Sequence, residues 1–216
     1  MTAGRLVLWR HGRTEWNVTG RFQGQADVPL DEVGREQAAT AARLMAAFDP
    51  VSIFSSDLAR TYQTAEPLAA LTGLEIQTDK RLREIHVGSW EGLLGDEIRA
   101  QHPELAERVW LGEDVRRSPT GESPQEVADR VAEALAEIAE TADDGATIAV
   151  VTHGLAGRVG ACRFVGLPFE HWRLLGGLAN CAKAPRGNPE ILAQSPRGTE
   201  ISSPASHPRS RAATAL

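Results

Sequence analysis

Two short apolar runs in this chain end in the same way, with a histidine followed by a glycine. Leu6–Trp9 continues into the letters RHG, and Ala146–Thr152 continues into HG. Both runs are continuously apolar rather than alternating, which is typical of strands buried on both faces of a sheet. Such sheets are parallel and are covered by helices, so these two runs alone favour an α/β fold.

The segments between the apolar runs have helical features. Asp31 precedes an Ala-rich stretch that reaches about Ala47, and acids in its first turn favour a helix start. Residues 122–142 place apolar side chains on one face and acids on the other. The remaining predicted elements are strands at 51–56, 74–79 and 174–182, helices at 57–73 and 155–166, and short helices within 90–114. Asp57 is a candidate N-cap for the helix at 57–73, and Pro67 favours a kink or a break within it. The order of these elements predicts a three-layer α/β fold with a largely parallel sheet and helices on both faces.

In open parallel sheets, ligands bind beyond the carboxyl ends of the strands. The two histidine motifs lie there, which makes Arg10, His11, Gly12, His153 and Gly154 candidate site residues. A single histidine at a strand end is usually structural, but two that are each followed by glycine indicate a site. The glycines would let backbone N–H groups come close to an anion.

Two further charged residues fit the same chemistry. Arg60 follows FSSDLA and Glu84 lies in RLREIHVGSWEG. Two imidazoles, two arginines and a carboxylate suit phosphoryl transfer: one imidazole attacks phosphorus, the cations stabilise the oxygens, and the carboxyl moves the proton. Taken singly, Arg60 could be a solvated helix cation and Glu84 an ion-pair partner of Arg81 or Arg83.

Loop and aromatic residues supply weaker candidates. Gln23 lies in the loop Gly20–Leu30, close in sequence to the first motif, and is a candidate ligand. Arg21, in the same loop, is explained as well by a solvated surface cation as by a ligand of the site. Trp90 and Trp110 are either packing residues or walls of a pocket for the leaving group.

The composition excludes several other classes of protein. The net charge of −6 gives no bulk support for nucleic-acid binding. Cys162 and Cys181 make neither a disulfide framework nor a metal cluster, so we expect no metal and no cofactor. No apolar run spans a membrane, and the amino terminus lacks a signal-peptide pattern. The cytoplasm is the predicted location, and a small phosphorylated metabolite is the predicted partner.

The motifs together resemble a known family. In order between Arg5 and Asn180, the chain contains LVLWRHGRTEWN, RFQGQADVPLDEVGREQA, FSSDLARTYQTAEPL, LREIHVGSWEG and VVTHG. This ordered set resembles the phosphoglycerate-mutase-like branch of the histidine phosphatase superfamily. The resemblance implies that family's fold and a metal-independent phosphatase that acts through phosphohistidine.

The resemblance also implies a role for each matching residue. His11 would be the nucleophile, and Glu84 would be the general acid and base. The phosphate pocket would comprise Arg10, Arg60 and His153. The substrate-binding set would be Asn17, Gln23, Gly24 and Gly154, together with Gly12 from the strand-end motif.

Phosphatase and mutase are the main alternatives within the family. Cofactor-dependent mutases carry a longer insertion after the catalytic glutamate, with further Arg, Lys and Tyr residues. Here the route from Glu84 to TGESPQEV is short, Arg116 and Arg117 do not match that pattern, and the only tyrosine is Tyr62. We therefore favour a phosphatase over a mutase.

The motifs FQGQAD, LREIHVGSWEGL and GGLANC are most similar to members that hydrolyse glucosyl-3-phosphoglycerate. An α-ribazole phosphatase and a broad phosphomonoesterase remain alternatives. A phospho-ligand binding protein without turnover ranks last, because both His11 and Glu84 are present.

The composition changes near the carboxyl terminus. Residues 1–184 form the predicted histidine phosphatase domain, whereas 185–216 are rich in Pro, Ser, Arg and Ala and lack apolar periodicity. Relatives continue past the position of Asn180 into an apolar edge strand, which Lys183 and Pro185 would interrupt here. We expect a disordered or aberrant tail, such as a shifted reading frame near residue 183 would produce. The sequence is compatible with a homodimer and does not determine the oligomeric state.

Overall fold

The computed structural model describes residues 5–176 and 178–181 and the backbone of 192–193. Within these residues, five strands form one sheet, in the order β3-β2-β4-β1-β5. The first four are parallel, and β5 pairs antiparallel with β1. The strands are β1 (Arg5–Arg10), β2 (Pro50–Ser55), β3 (Ile76–Thr78), β4 (Thr147–Thr152) and β5 (Leu192–Ala193).

Helices connect the strands and cover the sheet. A capping box between Ser123 and Glu126 begins the longest one, as the sequence SPQE favours. Three short 3₁₀ helices occupy Lys80–Leu82, Gly88–Trp90 and Phe169–Leu174. The α-helices are α1 (Glu15–Thr19), α2 (Glu32–Ala46), α3 (Ala59–Thr72), α4 (Gly95–Gln101), α5 (Pro103–Leu111), α6 (Pro124–Glu140) and α7 (Gly154–Phe164).

The sheet separates two apolar layers. Along β4, Ile148 and Val150 belong to the cluster that includes α6 and α7, and Ala149 and Val151 belong to the cluster that includes α2 and α3. Consecutive strand residues point to opposite faces, so a strand buried on both faces must be apolar throughout. The three-layer α/β prediction is therefore confirmed.

The predicted amphipathic helix is also confirmed. Val127, Val131, Leu135 and Ile138 of α6 are all buried. Burial of each such side chain contributes about 1.5–3 kcal/mol, so this face fixes α6 against the sheet.

The strand register brings the two histidine motifs together. β1 and β4 are neighbours, and Arg10 pairs with Thr152 at their carboxyl ends. His11 and His153 are the next residues on each strand, so they lie side by side at this edge of the sheet. Beside them, the backbone N–H of Ser56, just beyond β2, donates to the Val151 carbonyl at 3.0 Å.

The start of α3 differs from the prediction. Asp57 was expected as its N-cap, but the cap is Leu58, without a side-chain hydrogen bond. The Ala59 N–H instead donates to Asp27 at 2.7 Å, and Asp57 forms an ion pair with Arg83. The helix also continues through Pro67 to Thr72, so Pro67 does not break it, and a kink there stays a prediction.

The prediction of a last strand at 174–182 is also wrong over its described part, because residues 175–176 and 178–181 form no strand. Pairing with β1 comes instead from β5, inside the segment expected to lack structure. The remainder of 185–216 lies outside the described residues, so the domain boundary at 184 stays a prediction. Within the described part of the chain, no helix has the length and apolarity needed to cross a membrane.

Candidate active site

A cleft of about 400 Å³ opens at the carboxyl ends of the strands. His11 lies in its wall, and the described residues around it include four arginines but only one carboxylate, that of Glu84. The protein as a whole is acidic, so this local excess of cations favours an anionic ligand. The four arginines are Arg10, Arg21, Arg60 and Arg117.

His11 is held as a neutral imidazole. Its side chain is buried, and its Nδ1 lies 2.7 Å from the Gly12 carbonyl oxygen. A carbonyl only accepts, so Nδ1 carries the proton and Nε2 keeps its lone pair. Burial, together with the charges of Arg60 and Arg10, lowers the pKa of His11 well below its usual value. At neutral pH this imidazole can therefore act as a nucleophile.

His153 lies next to His11, with ring centroids 5.3 Å apart. Arg60 Nε donates to its Nδ1 at 3.2 Å, so Nε2 bears the proton and donates to Ser56 Oγ at 3.0 Å. Burial and the Arg60 charge lower the pKa of His153 well below its usual value. A direct bond from His153 to phosphate requires Nε2 to leave Ser56, and that contact stays a prediction.

Arg60 connects α3 to the loop that borders the cleft. Its side chain is completely buried, and its terminal nitrogens donate to the carbonyls of Ala26 at 2.7 Å and Gly24 at 2.8 Å. Burial lowers its pKa to about 10, although the Glu84 carboxylate acts in the opposite direction. A guanidinium has five N–H donors, of which these bonds and the one to His153 use three. The other two can bind a phosphate.

Arg10 lies over the first turn of α7. A Cβ atom at Gly154 would be 3.2 Å from Arg10 Cζ, so the glycine allows this close approach. Arg10 donates to the Leu178 carbonyl at 2.8 Å, but its buried Nε has no hydrogen-bond partner in the described part of the chain. An orphaned guanidinium donor facing a cleft suits an anionic oxygen.

Glu84 reaches the cleft from the loop before the 3₁₀ turn Gly88–Trp90. Its carboxylate accepts hydrogen bonds from the N–H groups of Leu155 at 3.2 Å and Ala156 at 3.0 Å. It thereby binds the amino-terminal end of α7, where negative charge is stabilised. The Ile85 N–H also donates to it, at 2.9 Å. The same carboxyl group thus contacts the helix that follows His153 and faces the cleft.

Asn17, Gln23 and Gly24 all lie in the cleft wall. Asn17 Oδ1 accepts from the Thr14 N–H at 3.1 Å, so part of its amide serves to cap α1. The buried Oε1 of Gln23 has no partner among the described residues. The Gly24 backbone has a φ of 51°, which favours glycine, and its carbonyl is the one that Arg60 binds.

Gly12 serves a different purpose from the one predicted. Its N–H already donates to Thr64 Oγ1 at 3.0 Å, so it is not available to a phosphate. A Cβ atom there would lie 2.4 Å from the Gly34 carbonyl oxygen. Glycine is needed at this position because the chain that follows β1 passes directly against the start of α2.

Metal ligands are not grouped at this site. In 5–176 and 178–181, no set of three His, Cys, Asp or Glu side chains is arranged to hold a metal ion.

Known proteins share this arrangement of motifs. The family model described as histidine phosphatase superfamily, branch 1, matches residues 6–183. This chain belongs to the histidine phosphatase superfamily. A glucosyl-3-phosphoglycerate phosphatase of Mycobacterium tuberculosis is 40% identical over 190 residues, which are 84% of each chain. A probable phosphoglycerate mutase of Serratia proteamaculans is 37% identical over 178 residues, 82% of each chain.

Solved structures of such phosphatases have the same fold. A mycobacterial glucosyl-3-phosphoglycerate phosphatase in complex with VO3 matches with a TM-score of 0.77 and 38% identity, covering 83% of this chain and 90% of that one. The predicted family and fold are therefore confirmed.

Several residues of this histidine phosphatase site were not predicted from the sequence. Ser56 and Thr64 bond to the strand-end motifs, but a hydroxyl in a buried strand or helix gives no signal of its own. In the sequence, Arg117 is distinguished only by its departure from the mutase pattern. In the structure, it is 8% exposed and lies in the cleft wall. The sequence places Arg130 in the predicted amphipathic helix but does not indicate a role in the site.

Arg130 holds the loop that carries Glu84. Its guanidinium donates to the backbone carbonyls of Arg83 at 2.7 Å and Glu84 at 3.0 Å. It also pairs with Glu122, whose carboxylate accepts from the His86 N–H at 2.8 Å. Arg130 is thus a positioning residue for Glu84, because it fixes the backbone on both sides of it.

We expect Arg130→Gln to lower kcat for an alkyl phosphate about 10- to 100-fold, because a small displacement of a proton donor costs that much. The loss with p-nitrophenyl phosphate should be smaller, because that leaving group needs little protonation. Steady-state kinetics on both substrates measure the difference. Arg99→Gln, which removes an exposed ion pair with Asp96, is the control. Equal losses on both substrates, with a lower melting temperature, would indicate a purely structural role.

Proposed function

We propose that this protein is a metal-independent phosphomonoesterase that acts through a phosphohistidine on His11. The observation that carries this proposal is a buried imidazole with its lone pair on Nε2, in the wall of a cleft rich in arginines. Phosphoric monoester hydrolysis is the activity of the family's glucosyl-3-phosphoglycerate phosphatases, which are similar to this chain over most of its length.

The proposed reaction has two steps. In the first, His11 Nε2 attacks phosphorus, the P–O bond to the alcohol breaks, and protonated Glu84 gives its proton to the leaving oxygen. Arg10 and Arg60 bind the phosphoryl oxygens through their free N–H donors. In the second, the Glu84 carboxylate takes a proton from water, which attacks phosphorus and breaks the P–N bond. His11 then has its lone pair again, and inorganic phosphate leaves.

The proposed substrate is a small phosphorylated metabolite, with glucosyl-3-phosphoglycerate as the first candidate. Two observations support it: about 40% identity to enzymes of that name, and a cleft large enough for more than a phosphate group. Asn17 and Gln23 have amide groups in the cleft wall that can bind hydroxyl groups of the alcohol.

Phosphate release from glucosyl-3-phosphoglycerate and from p-nitrophenyl phosphate, with a chelator present, tests the proposal. We expect kcat/KM to be at least about 100-fold higher for the sugar ester, because remote contacts contribute to transition-state binding. Comparable weak rates on both esters would support the proposed chemistry but reject glucosyl-3-phosphoglycerate as the substrate. Loss of activity in chelator would reject metal independence.

Mutase activity is the second candidate, because relatives named as probable phosphoglycerate mutases are 37% identical. Its test is conversion of 3-phosphoglycerate to 2-phosphoglycerate in the presence of 2,3-bisphosphoglycerate. Binding of phosphorylated ligands with neither activity would support a non-catalytic role. A cytoplasmic location and a homodimer stay predictions, which fractionation and light scattering respectively would test.

A further inference from the structure

A second pocket of about 470 Å³ adjoins the phosphate cleft. The two cavities have three wall residues in common, Val109, Arg117 and Leu155, and therefore lie side by side. A phosphomonoester bound with its phosphorus at His11 can extend its alcohol past Arg117 into this second pocket. None of the residues assigned above to the phosphoryl-transfer steps lies in the wall of the second pocket.

Arg158 of α7 contributes an unpaired cation to this pocket. Its Nε is buried and has no hydrogen-bond partner, and its guanidinium forms no ion pair with any residue in the described ranges. Buried guanidinium donors without a partner are rare in folded proteins because their desolvation is costly. An orphaned donor in the wall of a cavity therefore indicates a ligand with an acceptor oxygen.

Arg117 contributes a second cation that also lacks an ion pair among the described residues. Its guanidinium donates to the Val115 carbonyl at 3.1 Å. Burial lowers the pKa of Arg117, the Asp114 carboxylate acts in the opposite direction, and the neighbouring charge of Arg158 lowers it further. Two like charges close together in a partly buried place repel each other, and a bound anion would remove that repulsion.

Among the described residues, no acid forms an ion pair with either arginine. Asp114 acts on Arg117 from outside the pocket wall, and its carboxylate accepts hydrogen bonds from Gln125. Glu113 of the pocket wall forms an ion pair with Arg108. Arg173 donates to the Leu111 and Trp110 carbonyls. Glu170 is the remaining acid of the wall, and it is exposed to solvent.

Aromatic side chains complete the wall of the pocket. Trp110 is 78% exposed, which is unusual for an indole, and it borders the pocket together with Phe169 and Trp172. An exposed aromatic face next to paired cations suits an organic acid with an apolar or sugar-ring face, rather than a second inorganic anion.

We propose that Arg158, together with Arg117, binds the carboxylate of the leaving alcohol and so selects phosphomonoesters of hydroxy acids. The proposal rests on the phosphomonoesterase function above and adds the residues that would recognise the carboxylate of such a substrate. Arg158 is then a specificity-determining residue on the helix whose first turn binds Glu84.

The test compares two ligands that differ only at one carbon: 3-phosphoglycerate, which has a carboxylate there, and glycerol 3-phosphate, which has a hydroxymethyl group. Binding is measured by calorimetry in a His11→Ala background, in which the proposed mechanism cannot proceed. We expect 3-phosphoglycerate to bind about 10-fold or more tightly than glycerol 3-phosphate, since a charge-assisted hydrogen bond accounts for such a factor. Adding Arg158→Gln should remove most of that preference.

Arg99→Gln is the matched control, because it removes the same charge from an exposed position on α4. It should leave the preference unchanged. No preference before the Arg158 substitution, or an equal preference after it, would overturn the proposal. Inorganic phosphate, which lacks a carboxylate, should bind the His11→Ala protein with and without Arg158→Gln equally.

Turnover provides a second readout. In the otherwise unaltered protein, Arg158→Gln should lower kcat/KM for glucosyl-3-phosphoglycerate about 10-fold or more, with a smaller change for p-nitrophenyl phosphate. If the unaltered protein hydrolyses neither ester, the phosphomonoesterase function fails, whereas the calorimetry still decides whether Arg158 binds a carboxylate.

Discussion

His11→Ala should reduce phosphate release to background, a loss of about 10⁵- to 10⁶-fold, as removal of a nucleophile does in other enzymes. The proposed reaction passes the phosphoryl group to Nε2 of His11, and the neighbouring His153 has both of its ring nitrogens hydrogen-bonded. Turnover with p-nitrophenyl phosphate measures the loss. Rapid quenching followed by mass spectrometry should detect a phosphorylated peptide containing residue 11 only in the unaltered protein.

His171→Ala is the control for that experiment, because His171 is exposed and lies outside the cleft. Its activity should match that of the unaltered protein. Substantial phosphate release by His11→Ala, with a melting temperature near that of the unaltered protein, would assign the nucleophile elsewhere. Binding of inorganic phosphate by His11→Ala would show that the arginines still form the pocket.

Glu84→Gln should lower kcat about 10²- to 10⁴-fold for glucosyl-3-phosphoglycerate, the range for loss of general acid catalysis. An alkoxide is a poor leaving group and needs a proton from Glu84. The p-nitrophenolate ion leaves without one, so the first step with p-nitrophenyl phosphate should be much less affected. A burst of p-nitrophenol followed by slow turnover would show that the same group also activates water in the second step.

The control for Glu84 must account for its structural bonds. Glutamine keeps one acceptor oxygen, which can replace Oε1 for the Ile85 and Ala156 N–H groups, but its NH₂ group cannot accept from the Leu155 N–H, which donates to Oε2. The start of α7 should therefore keep one of its two bonds to this side chain, and the melting temperature of the variant shows whether that is enough. Glu107→Gln, at an exposed position of α5, removes the same charge outside the cleft. Equal losses on both substrates in the first turnover would reject Glu84 as the acid.

The sequence alone could predict most of the fold because the signals are local. The continuous apolar run of β4 requires burial on both faces, and the apolar stripe of α6 requires a sheet to pack against. Errors occurred where a distant contact overrode a local preference. Asp57 has the right chemistry for an N-cap, but Arg83 binds its carboxylate, and Asp27 binds the Ala59 N–H in its place.

The residues of the candidate site could be predicted from the sequence to about the same extent as the fold. His11 and His153 could be found because each ends an apolar strand, Arg60 and Glu84 because their charges fit the same chemistry, and Asn17 only from the ordered motifs of the family. Gly12 was a candidate because its N–H could approach an anion, whereas the structure requires glycine there because of close packing. The residue that excludes a side chain there is Gly34, and no local pattern relates those two positions.

The sequence by itself determined that parallel strands would end in histidines, because hydrophobicity and the residues that interrupt it are encoded locally. Only the tertiary structure decided that β1 and β4 are neighbours in register, which brings the two imidazole rings to 5.3 Å. It also decided that Arg117 and Arg158, far apart in the chain, border one pocket. The physical reason is that long-range contacts depend on how layers pack, and packing leaves no periodic signal at the individual polar residues that it brings together.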